Sequence, residues 1–310
     1  MDVVADLTVI IPAFNEAEGL KKILPPLMAA ATRHGWHVIV VNDASTDDTV
    51  EVVSGFAPEV KLINNRINSG YGASIKRGIR ATETKWIATF DADGQHRLED
   101  LERLAEVTED DDAVVGIRDT GSYVKFSRIP GKWLLTAITN FLIGYRIPDI
   151  NCGLRVMRRR IIGNIMALTS DRFSFSTSTL VALLKLDYQV RFVPVTTEKR
   201  IGNSAVRQFR DGLQTLMLVL HLIVLFDPLR IILPVAAGLF GAGVIIQIIT
   251  SISHGWDINQ LTIILCISGL ILFVMALIAD QLSALRREMS VNHHLSNDDR
   301  PESNKPSDRG

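Results

Sequence analysis

An excess of charge of either sign is missing from this chain. Across 310 residues, 33 Lys and Arg offset 34 Asp and Glu. No basic run with interleaved aromatics stands out, which argues against a nucleic-acid binder. Cysteine is almost absent. Cys152 and Cys266 lie far apart, and Cys266 falls in an apolar run. Neither a disulfide framework nor a zinc site is expected from such a pair. The N-terminus lacks the basic and apolar regions of a signal peptide; Asp2 and Asp6 instead precede a short strand.

Two further absences lie near the other end. No charged residue occurs between Arg230 and Asp257, and none between Asp257 and Asp280. A spanning helix needs about 20 apolar residues, and both runs reach that length. The expectation is a hairpin of two transmembrane helices, about 231–252 and 260–279, within a membrane segment 230–280. Its turn holds Trp256, an interface-seeking residue. Arg230 precedes the first run, Arg286 and Arg287 follow the second, and the connecting loop has no Lys or Arg. The positive-inside rule then puts both ends in the cytoplasm of a multi-pass protein of the cell (inner) membrane. Ala237-x-x-x-Gly241 and Gly238-x-x-x-Ala242 offer a small-residue face for close packing. Residues 281–310, polar after Ser290, read as a disordered tail. Residues 207–229 begin with Arg and Asp, turn densely apolar and are too short to span, which predicts an interfacial helix.

Residues 1–206 alternate short apolar strands with helices. Strands are expected at Leu7–Ile11, Val38–Val41, Val60–Ile63, Trp86–Phe90 and Ala113–Ile117. Helices are expected at Glu16–Ala31 with Asn15 as N-cap, and at Asp47–Phe56, Gly72–Ala81 and Leu98–Val107. That pattern implies an α/β fold with a mostly parallel sheet covered on both faces. Ligands of such sheets bind beyond the C-terminal strand ends. Here that rim carries Pro12 to Glu16, Asn42-Asp43, the Asn64 to Gly72 loop and Asp91 to Gln95.

The most informative stretch on the rim is ATFDADGQH, Ala88 to His96. Residues i and i+2 of an extended chain point the same way, so Asp91 and Asp93 can face one ion. Mg²⁺ takes oxygen ligands and often bridges carboxylates to phosphates. Gln95 could orient a metal-bound water or phosphate, whereas His96 reads as a hydrogen-bonding surface group. Asp43, at a strand end, can accept hydrogen bonds from a ribose or base. Gly70 and Gly72 permit close backbone approach to a ligand. The Arg158–Arg160 cluster reads first as a solvated face, and beside a membrane it could also meet anionic headgroups.

Four ordered motifs, IPAFNE (Ile11 to Glu16), VVNDASTDDT (Val40 to Thr49), NSGYGASIKRGI (Asn68 to Ile79) and FDADGQH (Phe90 to His96), resemble those of the family 2 glycosyltransferases of GT-A fold. The resemblance is to the polyprenyl-phosphate group, which contains dolichyl-phosphate mannose synthase, and covers about residues 5–210. It implies that Pro12, Ala13, Glu16 and Asp43 hold the nucleotide, with Ala92, Gln95 and Arg118 also on the donor side. Asp91, Asp93 and Gln95 would hold Mg²⁺ or Mn²⁺ and the donor diphosphate. Arg118, Lys132, Thr136, Ser204 and Arg207 would meet the acceptor phosphate, with Arg128 a rival to Lys132. Asp149 would lie close to the transferred sugar, and Arg200 would belong to a mobile catalytic loop. The chain departs from the family where a Lys often follows that Ser: here it has Ala205, and Arg207 could supply the charge. The implied activity is metal-dependent, inverting transfer from a nucleoside-diphosphate sugar, such as UDP-glucose or GDP-mannose, to undecaprenyl or dolichyl phosphate. The implied partners are those two substrates and the lipid bilayer, with no nucleic acid and with self-association left open. The alternatives are a membrane polysaccharide synthase and a non-catalytic scaffold of the same fold. Against the first, Gln208-Phe-Arg-Asp is not the Gln-x-x-Arg-Trp acceptor motif.

Overall fold

The computed structural model describes residues 3–107, 109–119, 149, 152–172, 174–201, 217, 220, 224, 227–255 and 259–298. It divides into two compact units, 1–222 and 223–310.

The first unit is built on a seven-stranded sheet. Its elements are β1 (Leu7–Ala13), α1 (Ala17–His34), β2 (His37–Asn42), α2 (Thr49–Ser54), β3 (Val60–Asn64), α3 (Tyr71–Arg80), β4 (Trp86–Thr89), α4 (Leu98–Leu104), β5 (Ala113–Arg118), β6 (Arg155–Arg158), α5 (Arg159–Ile165), α6 (Phe175–Lys185) and β7 (Val190–Val195). The strand order is β3-β2-β1-β4-β6-β5-β7. Every pairing is parallel except those of β6, which runs antiparallel to both β4 and β5. Strands β1 and β2 are buried along nearly their whole length because helices cover both faces. Two apolar clusters fill the space around the sheet. One gathers Leu20, Leu24 and Leu27 of α1 with Val9, Ile11 and Val40, and the other gathers Ile75 and Ile79 of α3 with Ile10, Ile39 and Ile87.

This topology positions the site. From β1 the chain passes to β2 and β3 on one side, and β4 lies on the other. The order therefore reverses between β1 and β4, and a crevice opens there beyond the strand ends. Those two strands run parallel with Ile10 opposite Thr89. They deliver Ala13 to Glu16 and Asp91 to Gln95 to one rim.

The first helix begins differently from the expectation. Asn15 is not its N-cap: it adopts φ 54°, and its Oδ1 accepts the Thr46 amide at 2.8 Å. The helix start is satisfied from the next loop instead. Asp47 Oδ2 accepts the Ala17 amide at 3.2 Å, and Thr49 Oγ1 accepts the Glu16 amide at 3.1 Å. A cap supplied by a distant loop satisfies the same orphan amides as a local one. Arg158 departs from the solvated-cluster reading, whereas Arg159 and Arg160 are exposed as expected. Arg158 donates to the Asp111 carbonyl at 2.7 Å and lies over the Trp86 ring, and Arg159 donates to the Thr84 carbonyl at 3.0 Å.

The second unit contains α7 (Leu229–His254) and α8 (Gln260–Asp298). Both are long and apolar enough to cross a membrane, over Leu229–Ser253 and Gln260–Leu285. Only 11% and 17% of their most apolar stretches are buried, unlike the mostly buried core helix of a soluble protein. The close contact between them is not made by the expected small-residue face. Cβ atoms added at Gly238 or Gly241 would meet nothing within 4 Å. The helices approach at Gly243, where a Cβ would lie 2.7 Å from Cys266 Sγ, and at Gly269, where it would lie 2.8 Å from the Ala236 carbonyl oxygen. The helix α8 continues through Asp298, into the stretch expected to be a tail. The helix expected over 207–229 lies almost wholly outside the described residues.

Candidate active site

The Asp91-Ala92-Asp93 turn leaves β4 directly beneath the start of α1. Gly19 allows this: a Cβ there would sit 2.0 Å from the Ala92 carbonyl oxygen. Gly94 turns the chain at φ 68°. The Gln95 amide then donates to Asp93 Oδ1 at 3.1 Å, which fixes one carboxylate against its own loop.

Arg200 reaches this turn from the segment after β7. Its guanidinium hydrogen-bonds Glu16 Oε1 and stands 3.5 Å from Asp93 Oδ2. The arriving segment is tied to the turn by its backbone: Glu198 N donates to the Gln95 carbonyl at 2.8 Å and Ile201 N to the Asp93 carbonyl at 3.1 Å. The Gln95 side-chain amide donates to the Glu198 carbonyl at 3.2 Å. Glu198 also pairs with Lys22 and Arg97 at 3.1 and 3.3 Å. Glu16, Asp91, Asp93, Gln95 and Arg200, expected to share a site, are thus brought together.

Three carboxylates crowd this rim. Burial pushes Asp91 upward, and Tyr71, Arg200, Arg118 and Arg155 only partly oppose it. Burial and the neighbouring Asp91 raise Asp93. Burial, together with Asp93 and Asp91, raises Glu16 to about 7, with Arg200 acting against it. Such a cluster favours an added cation. Among the described residues, no group of three or more His, Cys, Asp or Glu side chains is arranged to hold a metal ion. Two carboxylates and the Gln95 amide fit a hard cation that completes its shell with phosphate and water oxygens.

His96 was expected at the surface and is buried, with 8% of its area exposed. Its backbone bridges to Thr197, which draws the ring inside. Its Nε2 lies 3.8 Å from Asp91 Oδ2, and burial drives its pKa down to about 4. The imidazole is neutral at pH 7.

Asp43 faces the rim with both oxygens engaged. Oδ1 accepts the Asn65 side-chain amide at 2.7 Å and the Ser69 backbone amide at 2.8 Å; Oδ2 accepts the Gly70 amide at 2.8 Å. It organises the β3–α3 loop. Pro12 and Ala13 end β1, and Ala13 accepts the Asp43 amide at 2.8 Å. Both, like Ala92, are buried.

Arg118 and Asp149 form a two-pronged ion pair at 2.7 and 3.3 Å. Burial works against the Arg118 charge, but Asp149 outweighs it and holds the guanidinium above its ordinary value. Arg128, Lys132, Thr136, Ser204, Ala205 and Arg207 lie outside the described residues.

Sequence reasoning missed two members of the site. Tyr71, inside the NSGYG motif, donates its hydroxyl to Asp91 Oδ1 at 2.8 Å. Gly153, in NCGLR, makes room for the same carboxylate, since a Cβ there would sit 2.3 Å from Asp91 Oδ2. A glycine beside a strand was the one available signal.

Comparison with known proteins agrees with this arrangement. Residues 8–166, more than half of the chain, match the model of glycosyl transferase family 2, and residues 227–285 match the GtrB C-terminal hairpin. The chain is 30% identical over 206 residues to an uncharacterized protein of Methanocaldococcus jannaschii, covering 62% of this chain and 81% of that one. It is 29% identical over 248 residues to the undecaprenyl-phosphate 4-deoxy-4-formamido-L-arabinose transferase of Pseudomonas fluorescens, covering 76% and 70%. It is 28% identical over 222 residues to a dolichyl-phosphate beta-glucosyltransferase of Trichomonas vaginalis, covering 64% and 66%. The fold is similar to that of glucosyl-3-phosphoglycerate synthase from Mycobacterium tuberculosis, solved with Mn²⁺, UDP and glucosyl-3-phosphoglycerate. The TM-score is 0.57 at 16% identity, over 69% of this chain and 78% of that one. With the motifs on one rim of a GT-A sheet and the family model matched over most of that sheet, the chain belongs to glycosyl transferase family 2 and is a glycosyltransferase.

Proposed function

We propose that this enzyme transfers a sugar from a nucleoside-diphosphate sugar to a polyprenyl phosphate held in the bilayer. One observation carries the reading: a single chain joins a family 2 acidic rim to a hairpin of two helices of membrane-spanning length. The relatives from Pseudomonas and Trichomonas, an undecaprenyl-phosphate and a dolichyl-phosphate sugar transferase, support it. A lipid phosphate keeps its tail in the membrane, so an anchored catalytic unit meets it at the surface. Arg230 before the first span and Arg286 and Arg287 after the second favour a cytoplasmic catalytic unit.

The chemistry asks little of a general base. A phosphate monoester has a second pKa of about 6, so the acceptor is largely dianionic at neutral pH. Its oxygen attacks the anomeric carbon in line, the bond from that carbon to the diphosphate oxygen breaks, and the nucleoside diphosphate departs. The configuration inverts. Neutral, buried His96 is not needed as a base. Asp91, Asp93 and Gln95 would hold Mg²⁺ or Mn²⁺, which when bound supplies Lewis-acid neutralisation of the leaving diphosphate. Pro12, Ala13, Glu16, Asp43 and Ala92 would form the donor cradle. Asp43 would act through the 65–70 loop it holds. Arg118, Arg200, Lys132, Thr136, Ser204 and Arg207 would offset repulsion between donor and acceptor phosphates, and Asp149 would orient Arg118 beside the sugar.

The test is a screen of the full-length protein in detergent or vesicles. UDP-glucose, GDP-mannose and UDP-N-acetylglucosamine are each paired with undecaprenyl and dolichyl phosphate, and products are read by mass. The expected product is a monoglycosyl phosphopolyprenol that requires the divalent ion. A product growing by repeated sugar addition, or no transfer from any pair, refutes the proposal.

A further inference from the structure

Tyr71 is the described side chain that hydrogen-bonds Asp91. Its hydroxyl donates to Asp91 Oδ1 at 2.8 Å, and the Ser176 hydroxyl of α6 is bonded to the same phenolic oxygen. The residue is held where it is by more than its ring. Gly70 turns at φ 103° immediately before it. A Cβ added at Gly72 would lie 2.1 Å from the Ser170 carbonyl oxygen, so the first turn of α3 lies directly on the 170–171 backbone. The Ala73 amide donates to the Asp171 carbonyl at 2.8 Å. Buried Lys76 donates to the Thr169 carbonyl at 2.6 Å and to Asp171 Oδ1 at 2.7 Å. The start of α3 is therefore fastened to the segment before α6, and the phenol spans from there to the acidic turn.

The other side of the Asp91 carboxylate is bounded as well. The Gly153 backbone lies beside Oδ2, close enough that a Cβ would sit 2.3 Å away. Thr89 Oγ1 donates to the Gly153 carbonyl at 2.5 Å, which ties that backbone to the end of β4. With Tyr71 on one oxygen and Gly153 against the other, rotation of the carboxylate is restricted. Residues that hydrogen-bond a ligating carboxylate fix its plane and tune its affinity for the ion.

We propose that Tyr71 is a positioning residue for the divalent ion, orienting Asp91 through its hydroxyl with Ser176 behind it. The inference rests on the reading that Asp91 and Asp93 hold that ion. Loss of such an outer partner typically weakens metal affinity by about 10- to 100-fold. Tyr71→Phe removes one oxygen and keeps the ring. Ser176→Ala loosens the phenol from behind and should give a smaller change of the same sign.

The experiment is a Mn²⁺ titration of the full-length protein in detergent, followed by the electron paramagnetic resonance signal of free Mn²⁺. It is run with UDP and separately with GDP, on the parent, Tyr71→Phe, Ser176→Ala and Asp93→Asn. Transfer kinetics are measured against Mn²⁺ concentration in parallel. Tyr71→Phe should bind Mn²⁺ about tenfold more weakly or worse, with much of kcat recovered at saturating Mn²⁺. A parental Mn²⁺ curve for Tyr71→Phe overturns the inference while leaving the metal reading intact. If the parent itself binds no Mn²⁺ with either nucleotide, both fall together. Should Tyr71→Phe fail to fold, Ser176→Ala decides: weakened Mn²⁺ binding supports the role and an unchanged curve removes it.

Discussion

Gly19→Ala should disable the enzyme by moving the acidic turn, although it adds a single methyl in a helix. The first turn of α1 lies on the backbone of Ala92 and Asp93. A Cβ at position 19 would sit 2.0 Å from the Ala92 oxygen, 3.1 Å from its carbonyl carbon and 3.3 Å from Asp93 Cα. Real Cβ atoms do not approach within 3.0 Å, so helix and turn must part by about 1 Å. The obstacle is backbone, so no side-chain rotation relieves it. Overpacking of this kind costs about 1–3 kcal/mol, offset in part by about 1 kcal/mol of helix propensity gained on replacing Gly. The fold should survive. A displacement of about 1 Å at the reacting groups costs about 100-fold in rate. Gly163→Ala is the matched control, because Gly163 is exposed on α5 and a Cβ there meets nothing within 4 Å. We expect Gly19→Ala to lose about 100-fold in kcat/KM for sugar transfer, with melting lowered by a few degrees. Gly163→Ala should keep parental activity and gain slightly in stability. Parental kcat/KM in a folded Gly19→Ala protein would show that the turn's position does not govern catalysis.

Asp93→Asn should cut transfer by orders of magnitude without unfolding the protein, and chelator-treated parent should be equally inactive; full activity after chelation contradicts the metal assignment. The Glu16 carboxyl titrates near 7 in the fold against 4.5 for the free side chain. The metal-free fold therefore binds more protons than the unfolded chain between those values, and its stability falls as pH rises from about 4.5 to about 7. Glu16→Gln should flatten that decline in melts of chelated protein, leaving a residual slope from Asp91 and Asp93, which are shifted in the same direction. Arg118→Ala removes the guanidinium paired with buried Asp149 and should cost about 3 kcal/mol, whereas Arg118→Ala combined with Asp149→Asn should cost less; equal melting temperatures for the two would refute a buried pair. A cysteine at Gly255 in a Cys-free variant should react with an impermeant thiol reagent only from outside the cytoplasm, and labelling solely from the cytoplasmic side would invert the topology.

The parallel half of the sheet was legible because its strands are short apolar runs closed by Pro, Asn, Asp or Gly, and the helices between them carry apolar stripes. The readings for β1 to β5 fall within two residues of the observed strands. The strands β6 and β7 were not foreseen. Arg155-Val-Met-Arg is four residues long and begins and ends with Arg, and Pro194 sits inside β7. No local period announces that β6 pairs antiparallel on both sides, because pairing direction is a tertiary property. At the site, residue type and strand-end position placed Glu16, Asp91, Asp93 and Gln95 on one rim, whereas Arg200 was placed there only by the family resemblance. What sequence could not reveal is how each group is already engaged. Asp43 reads as a free acceptor and already accepts from Asn65, Ser69 and Gly70. His96 reads as exposed and is drawn inside by its bridge to Thr197. Tyr71 carries no reading of its own in the sequence, and only the fold shows that its hydroxyl reaches Asp91.

These engagements give the rim its logic. On the proposed reading, a carboxylate pair that accepts an ion cannot be satisfied by the protein alone, or the ion gains nothing by binding. It also cannot be left loose, or ordering it would cost entropy at every turnover. The observed arrangement meets both demands. Tyr71 and the Gln95 amide each hold one oxygen of Asp91 and Asp93, respectively, and burial keeps both acids raised. Arg200 offsets part of the charge, but it stands 3.5 Å from Asp93 and shares its guanidinium with Glu16. Its segment is stitched to the same turn through Glu198 and Ile201. The Arg200 guanidinium beside the acids thus comes from a segment that is itself bound to their turn. On the same reading, a cation arriving at Asp93 would meet Arg200 at that oxygen, and ion binding would be coupled to the position of the 198–201 segment by electrostatics.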